Sequence, residues 1–462
     1  MASGIGIVLN YLLAHFLGAE SYGKIQYMVG LITTISSFLI FGLDSFILRE
    51  AKNPKNEKSI LNKSFSFLLI TFIFGAPIVM FVCRIVEHYD FSNLLFYLFI
   101  FAGTVSLCIS KIISSYFNGR RKVYASSLVE LIIPKIILLS FVIVCIVLGS
   151  ISFIERIYLG LYLLIYGSLS IVILLLKFKR VDLSFSIKEI VSITMLFGTT
   201  VTYSLTENLG KVLQGTLFRN TTVLGVVAVS LNIISLVSIF TSIINSIAKP
   251  MYAQLNRDNN VIGLIDVYRF NTRANSYFFL PLYLFFIICA KKFLFIFGES
   301  YTVYPLILVI LSIRALASSI TGPNGGMLTM TGHEKMQFVN GLIYFVVFVT
   351  SMVIFSSNEI YGLCFAFLIT EVVINIIKYI EVWVVFKKTP LDLKTLLSML
   401  MSVLFDSIAI YFWNYVNNIF IWLFAGIVIG IILIGCNFLF SPYRKVDFKR
   451  LLRFESEDVS KL

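Results

Sequence analysis

The chain has 462 residues, 58% hydrophobic and 13% charged, with a formal net charge of +13. Soluble domains carry roughly 25% charged residues, so this composition excludes an ordinary water-soluble protein. The basic balance alone would suit nucleic acid, but its placement along the chain excludes that partner.

Hydrophobic runs separated by short polar connections recur from end to end. A helix crosses the hydrocarbon core of a bilayer with about 20 apolar residues. Fourteen spans are predicted, at 2–18, 25–48, 61–86, 91–115, 124–148, 157–176, 190–212, 222–247, 274–290, 303–320, 337–356, 360–386, 396–415 and 418–440. The first is only just long enough to cross and fits a re-entrant or truncated helix. Thirteen more runs follow it, so it is expected to stay in the chain rather than be cleaved as a leader.

Lys and Arg collect in alternate connections. One set holds 27 of them: Arg49 to Lys63, Lys111 to Lys122, Lys177 to Lys188, Lys249 to Arg273, Lys335, Lys387 to Lys394 and the tail. The other holds Lys24, Arg84, Arg156, Lys211, Arg219, Lys291 and Lys292. Basic connections stay on the cytoplasmic side, so both termini are predicted to be cytoplasmic. The charge is then a topology signal and an attraction to anionic membrane lipids.

The expected organisation follows. Residues 1–176 form an N-terminal lobe of six helices, and 177–189 a cytoplasmic amphipathic linker with Leu183, Phe185 and Ile187 at the interface. Residues 190–386 form a C-terminal lobe of six more helices, 387–440 two added helices, and 441–462 a basic cytoplasmic tail. The longest connection is predicted at 249–273. A six-plus-six arrangement is a frequent transporter plan. No external domain is predicted, and the small outer connections weigh against glycan polymerases and ligases.

Charged residues inside spans are costly, about 2.5–3.5 kcal/mol at the centre, and mark cavities or partners. The fifth span has Glu130, Pro134 and Lys135. The seventh has Thr200, Tyr203, Ser204, Glu207, Lys211 and Gln214 at helical spacing on one face. The tenth has Arg314 and Ser318. The twelfth has Glu371, Asn375, Lys378 and Glu381, and the thirteenth Asp406. By depth, Lys135, Arg314, Glu371 and Asp406 are central, Lys378 and Glu381 nearer the cytoplasm, Glu207 and Lys211 nearer the outer surface. Lys211, Arg84 and Glu381 lie near enough to an interface to snorkel, and Lys378 and Glu381 are spaced to pair along one helix. Two readings stand for Lys135 and Arg314. They bridge Glu130, Glu371 or Asp406 as buried pairs, or they line a hydrophilic cavity that receives an anionic substrate. Arg suits phosphate through its planar fork, and Lys acts as a point charge. Pro134 and the run GPNGG (322–326) are expected to break helices.

Six scattered cysteines (Cys83, Cys108, Cys145, Cys289, Cys364, Cys436) suggest neither a metal site nor a disulfide framework. His15, His88 and His333 are equally scattered. The sequence has no phosphate-binding P-loop, nucleophile elbow or HExxH run. No catalytic residue, metal or cofactor is expected, and the chain reads as a non-enzymatic transporter.

Several stretches carry a resemblance. LAHFLGAESYGKIQY holds Leu17, Gly18, Tyr22 and Gly23 in an LGxxxYG pattern. FGLDSFILREA (41–51), NGRRKVYA (118–125), LFIFGESY (294–301) and GPNGGMLTMTGHEK (322–335) follow. Together they resemble the Wzx-type O-antigen and polysaccharide flippases of the multidrug/oligosaccharidyl-lipid/polysaccharide (MOP) exporter superfamily. One departure is Lys211, where members often carry an acid. The resemblance implies two six-helix lobes arranged as a V, with two C-terminal helices added. It also implies alternating access and a bacterial cytoplasmic (inner) membrane location. The implied substrate is an undecaprenyl-diphosphate-linked oligosaccharide, with a polysaccharide polymerase and a chain-length regulator as partners. Lys135, Arg314, Lys378 and Lys211 would then meet the substrate, and Glu130, Glu207, Glu371 and Asp406 would supply counter-charge or coupling. A cation-coupled small-molecule exporter of the same superfamily is the alternative, with a membrane glycan polymerase behind it.

Overall fold

A computed structural model describes residues 2–50, 57–86, 94–120, 122–151, 210–216, 220–388, 393–416 and 418–443, with isolated positions between 154 and 208. Over these residues the chain is helical and has no strand. It divides into two units, Met1–Val229 and Ser230–Leu462.

In the first unit, α1 (Ala2–Ile40) runs through the first predicted span and much of the second, bending at Gly18, where φ is 76° and ψ 172°. Glycine takes this conformation without the clash a Cβ would bring. α1 stops at Phe41 and Gly42, both at positive φ, and α2 (Leu43–Glu50) resumes. The predicted span 25–48 is therefore broken near one end. Close backbone approach is the reason: a Cβ on Gly42 would lie 2.6 Å from the Phe197 nitrogen and 2.8 Å from the Ile193 carbonyl oxygen. Phe41 stacks on Phe197 with ring centres 4.2 Å apart.

α3 (Glu57–Val86) and α4 (Leu94–Gly119) follow. The fifth predicted span is built from α5 (Val123–Ser127), a π-helical turn (Leu128–Ile132) and α6 (Ile133–Val147). Pro134 has no N–H, so the Glu130 carbonyl lacks its ordinary donor. The helix widens there, and the Ile133 N–H reaches back five residues to the Leu128 carbonyl. The predicted break at Pro134 is thus a bulge in a continuing helix.

Two glycines set a close helix crossing in this unit. A Cβ on Gly23 would run into the Thr221 carbonyl, and one on Gly225 into the Ala19 carbonyl. Backbone touches backbone in both directions, which small residues allow in membranes. Gly23 closes the LGxxxYG run, so this part of the pattern has a packing role.

Part of the predicted linker is fastened to α3. Ser186 N–H donates to Glu189 Oε2 at 2.7 Å, and Glu189 N–H returns to Ser186 Oγ at 3.2 Å, a capping box. Lys63 Nζ lies 3.3 Å from Glu189 Oε1, and Asp182 N–H donates to Ser66 Oγ at 2.8 Å. Phe185, predicted to lie at the interface, packs edge-on against the Phe67 ring. Ile187 is 81% exposed. Burial works against ionisation of Glu189, but the Ser186 N–H and hydroxyl and the Lys63 ammonium outweigh it and hold the carboxyl below its ordinary range. Leu183, all of the span at 157–176 but Ile165, most of that at 190–212, and the tail beyond 443 lie outside the described residues.

α7 (Thr221–Arg257) leads into the second unit, and α8 (Val261–Ile288) follows after three residues. The predicted 25-residue connection at 249–273 is therefore helix on both sides of a tight turn, capped where Asn260 Oδ1 accepts from Gly263 N–H at 2.9 Å. Apolarity marks where a membrane ends, whereas a helix continues as long as it satisfies its own backbone. α9 (Ala290–Phe297) bends from α8 by 79°. α10 (Pro305–Ile320) and α11 (Asn324–Met330) meet at 40°. Their break is the predicted GPNGG run. Gly322 has φ +73°, and a Cβ there would run into Thr272 Oγ1. α12 (Glu334–Ile354), α13 (Gly362–Phe386), α14 (Leu393–Trp413) and α15 (Ile419–Phe440) complete the unit.

Eight of the described helical stretches are long and apolar enough to cross a membrane, or ten if each bent pair is one span. The described residues alone do not reach the predicted fourteen. α15 shows what surrounds them. Phe420, Phe424, Ile427 and Ile431 recur on one face and are 66–79% exposed, an arrangement stable in lipid and costly in water. Its other face buries Trp422, Gly430, Leu433 and Asn437. There Trp422 stacks on Trp413 at 4.4 Å, and both join the Leu280, Leu284 and Phe285 cluster of α8. Lys292 fastens one end of the pair, donating to the Asn414 and Val416 carbonyls and lying 5.6 Å over the Trp422 ring. Tyr277 fastens the other by donating to Ser441 Oγ, and Arg273 lies 4.4 Å over the Tyr443 ring.

Candidate functional site

The predicted charged residues fall into separate groups. In the second unit, α10 supplies Arg314 and α13 supplies Glu371. Arg314 Nε donates to Glu371 Oε2 at 3.3 Å, and their side chains are only 13% and 16% exposed. Arg314 Nη2 reaches Tyr344 Oη on α12 at 3.5 Å, and the guanidinium lies 4.7 Å over the Phe367 ring. Asn375 Nδ2 donates to Glu371 Oε1 at 3.0 Å and to the Glu371 carbonyl at 2.8 Å, and Thr321 Oγ1 donates to Asn375 Oδ1 at 3.0 Å. A connected chain thus runs from the broken α10–α11 span through Asn375 and Glu371 to Arg314 and Tyr344.

This geometry fits the buried-bridge reading of Arg314. The pair desolvates two charges, and the surrounding hydrogen bonds and ring offset part of that cost. Lys378, two turns beyond Glu371 on α13, is 8% exposed. Glu381 accepts from Asn340 Nδ2 on α12 at 2.6 Å.

In the first unit, the π-turn supplies Glu130 and α6 supplies Lys135. Ser114 donates to Glu130, and its hydroxyl lies 2.6 Å from that of Ser126. Lys135 feels the Glu130 charge and packs against α1: a Cβ on Gly6 would sit 2.9 Å from Lys135 Nζ. Lys211 donates to Gln26 Oε1 at 3.4 Å, and Gln26 Nε2 donates to Tyr22 Oη at 3.0 Å. The tyrosine of the LGxxxYG run is therefore tied, through Gln26, to Lys211. Glu207 lies outside the described residues.

Among the described residues, Asp406 is not brought to a cation. It is fully buried on α14 and accepts from Asn437 Nδ2 of α15 at 2.8 Å.

Tyr344, Phe367 and Asn437 were not among the predicted residues. Phe367 stands four residues before Glu371, on the same helix face, so its spacing carried a signal. Asn437 is a lone amide late in an otherwise apolar span, a placement that itself marks a buried partner. Tyr344 had no such signal.

The family model for polysaccharide biosynthesis proteins matches residues 12–305. No curated protein matches the chain. Among solved structures, the chain is similar to lipid II flippase MurJ in an inward closed conformation. The two share 16% identity over 96% of this chain and 97% of that one, with a TM-score of 0.63. It is also similar to an inward-facing multidrug resistance MATE family transporter of the MOP superfamily, at 13% identity over 84% and 95% of the two chains and a TM-score of 0.61. A MOP superfamily transporter from Pyrococcus furiosus is similar at 14% identity over 84% and 95%, with a TM-score of 0.55. At these identities the likeness speaks for the fold.

Proposed function

The chain belongs to the polysaccharide biosynthesis protein family and has the fold of the MOP superfamily transporters, and on that premise we propose that it is a flippase for lipid-linked oligosaccharides. The substrate is an undecaprenyl-diphosphate-linked repeat unit of O-antigen or capsule type, moved from the cytoplasmic to the outer leaflet by alternating access. The membrane is the bacterial cytoplasmic membrane, with both termini cytoplasmic. A polysaccharide polymerase and a chain-length regulator act beside it.

The observation that carries this reading, given the family, is the Arg314–Glu371 pair set in otherwise apolar helices. A paired cation can exchange its internal carboxylate for a substrate diphosphate without ever being left bare in low dielectric. Lys135, Arg314, Lys378 and Lys211 meet the anionic head in turn, with Glu130, Glu207 and Glu371 as counter-charges. Each negative charge moved outward gains about 2.3 kcal/mol per 100 mV of membrane potential, so an anionic head is exported without ATP.

A cation-coupled exporter of small molecules is the second reading, favoured by the fold likeness to the multidrug transporter. The paired state of Arg314 counts against it, since an organic cation prefers a cavity with net negative charge.

The test is the lipid-linked glycan pool in a deletion strain, resolved by membrane face. Complete undecaprenyl-linked units held on the cytoplasmic face, with surface polymer absent, are the expected result. Normal outward delivery together with drug hypersensitivity would transfer the assignment to the exporter.

A further inference from the structure

Asp406 and Asn437 lie between the two C-terminal helices, where α14 meets α15, and both are almost fully buried, at 0% and 2% exposure. One hydrogen bond joins them, from Asn437 Nδ2 to Asp406 Oδ2 at 2.8 Å. Two oxygens of the same pair are left over: Asp406 Oδ1 and Asn437 Oδ1 are buried and have no hydrogen-bond partner. Both are acceptors, and neither can satisfy the other as drawn.

No cation is at hand among the described residues. Among the described residues, the helices packed most extensively against α14 are α8 and α15. On α8, Arg273 lies on the Tyr443 ring, Tyr277 donates to Ser441, and Tyr268 donates to the Thr321 carbonyl. Arg269 acts on Tyr379, Tyr283 lies in the field of Arg314, and Asp266 is an acid in the second turn. On α15 the one titratable side chain is Cys436. α14 itself adds Lys394 at its first turn and Tyr411, whose hydroxyl pairs with that of Tyr415.

One particle satisfies both orphan oxygens. We propose that Asp406 and Asn437 form a proton-binding site. A single proton on Asp406 Oδ1 donates to Asn437 Oδ1, while Asn437 Nδ2 donates to Asp406 Oδ2. The carboxylic acid and the amide then close a reciprocal pair, uncharged and satisfied on its facing atoms, as a buried polar group requires. A sodium ion would find two side-chain oxygens here and would stay under-coordinated. Loss of the proton leaves a negative charge and two unsatisfied acceptors between α14 and α15, so the site ties the seam between these helices to proton occupancy. The inference goes beyond the transport reading and is independent of what the protein carries.

Infrared spectroscopy of the full-length protein purified in detergent tests it. At neutral pH the protein should show the carbonyl-stretch band of a protonated carboxylic acid. Asp406→Asn should remove that band, and Glu371→Gln should leave it. An unchanged band in Asp406→Asn, or no such band in the wild type, overturns the proposal. A second measurement covers poor folding of a variant. The amide introduced by Asp406→Asn can rebuild the reciprocal pair with Asn437 but has no proton to lose. Wild-type thermal stability should therefore be full at acid pH and fall as pH rises and the proton leaves, while Asp406→Asn stays flat over that range. Parallel pH profiles for the two proteins would also overturn it.

Discussion

Arg314 and Glu371, 57 residues apart, hold each other across two helices of the second unit, Nε to Oε2 at 3.3 Å, with the Phe367 ring beneath the guanidinium. Each charge sits where the chain otherwise presents apolar side chains, so each makes the other tolerable. That mutual dependence gives the first prediction. Arg314→Met or Glu371→Leu alone strands one charge, at a cost of up to about 3–5 kcal/mol for a fully buried pair and somewhat less for this partly exposed one. The double variant should recover most of the loss. Thermal melts of the four proteins in detergent form the cycle, and additive losses would show that the two residues do not depend on each other. In cells, Arg314→Glu and Lys135→Glu should abolish surface polymer. Wild-type polymer in both strains would sink the cation-site reading.

The Glu189 carboxyl, capped on Ser186 and paired with Lys63, ionises more readily in the folded protein than in the unfolded chain. A depressed folded pKa stabilises above the unfolded value, about 4.3, and the contribution is lost as pH falls through the lower, folded value. Wild type should therefore exceed Glu189→Gln in thermal stability near neutrality, and the gap should close in acid. The side chain is 30% exposed, so screening should keep the gap small and high salt should shrink it further. A gap that widens in acid would contradict the assignment.

Gly23 and Gly225 are predicted to be intolerant of any side chain. A Cβ at either meets a backbone carbonyl, and backbone cannot rotate away as a side-chain tip can. Gly23→Ala and Gly225→Ala should each cost about 1–3 kcal/mol as overpacking. Gly4, with open space around its Cβ position, is the control: Gly4→Ala should leave the melting temperature unchanged. Equal behaviour of all three variants would mean that the crossing is looser than drawn.

Lys292 closes the turn between α14 and α15 through two carbonyls. Charge-assisted bonds of this kind contribute roughly 1.5–3 kcal/mol each. Lys292→Met keeps the stem over Trp422 and removes the donors, so hydrogen exchange should quicken at the turn around 414–418 while α10 and α13 keep wild-type protection. Unchanged exchange at the turn would remove Lys292 from this role.

What could be read ahead of the structure was governed by composition and by backbone chemistry. Apolar runs marked helices because a bilayer leaves few alternatives. Gly322 and Pro134 marked breaks because one favours positive φ and the other lacks an N–H. Charges at mid-depth marked Arg314 and Glu371, which do meet. Contacts between distant segments were not legible. Nothing in the run around Phe41 and Gly42 states that Ile193 and Phe197 press against it. Hydropathy could not say that 249–273 is helical on both sides of its turn, because polar residues are no obstacle to a helix in water. Asp406 looked like a partner for the cavity cations by depth alone, whereas its bond goes sideways to Asn437. Depth is one coordinate, and pairing also needs the angle around the helix and the identity of the neighbour.

The π-turn at Leu128–Ile132 has a consequence in register arithmetic. A turn of five residues in place of about four slips one extra residue into the helix. Every side chain beyond it stands where its predecessor would stand in an unbroken α-helix. Lys135 therefore takes the angular place of residue 134, one turn along from Glu130 and on its face. The bulge works as a phase shift: remove one residue from it, Leu131 for instance, and the helix closes to regular geometry. The residues on its two sides would then rotate by about 100° against each other. Serine-bound Glu130 and glycine-packed Lys135 could not both keep their neighbours, although every charged residue would still be present.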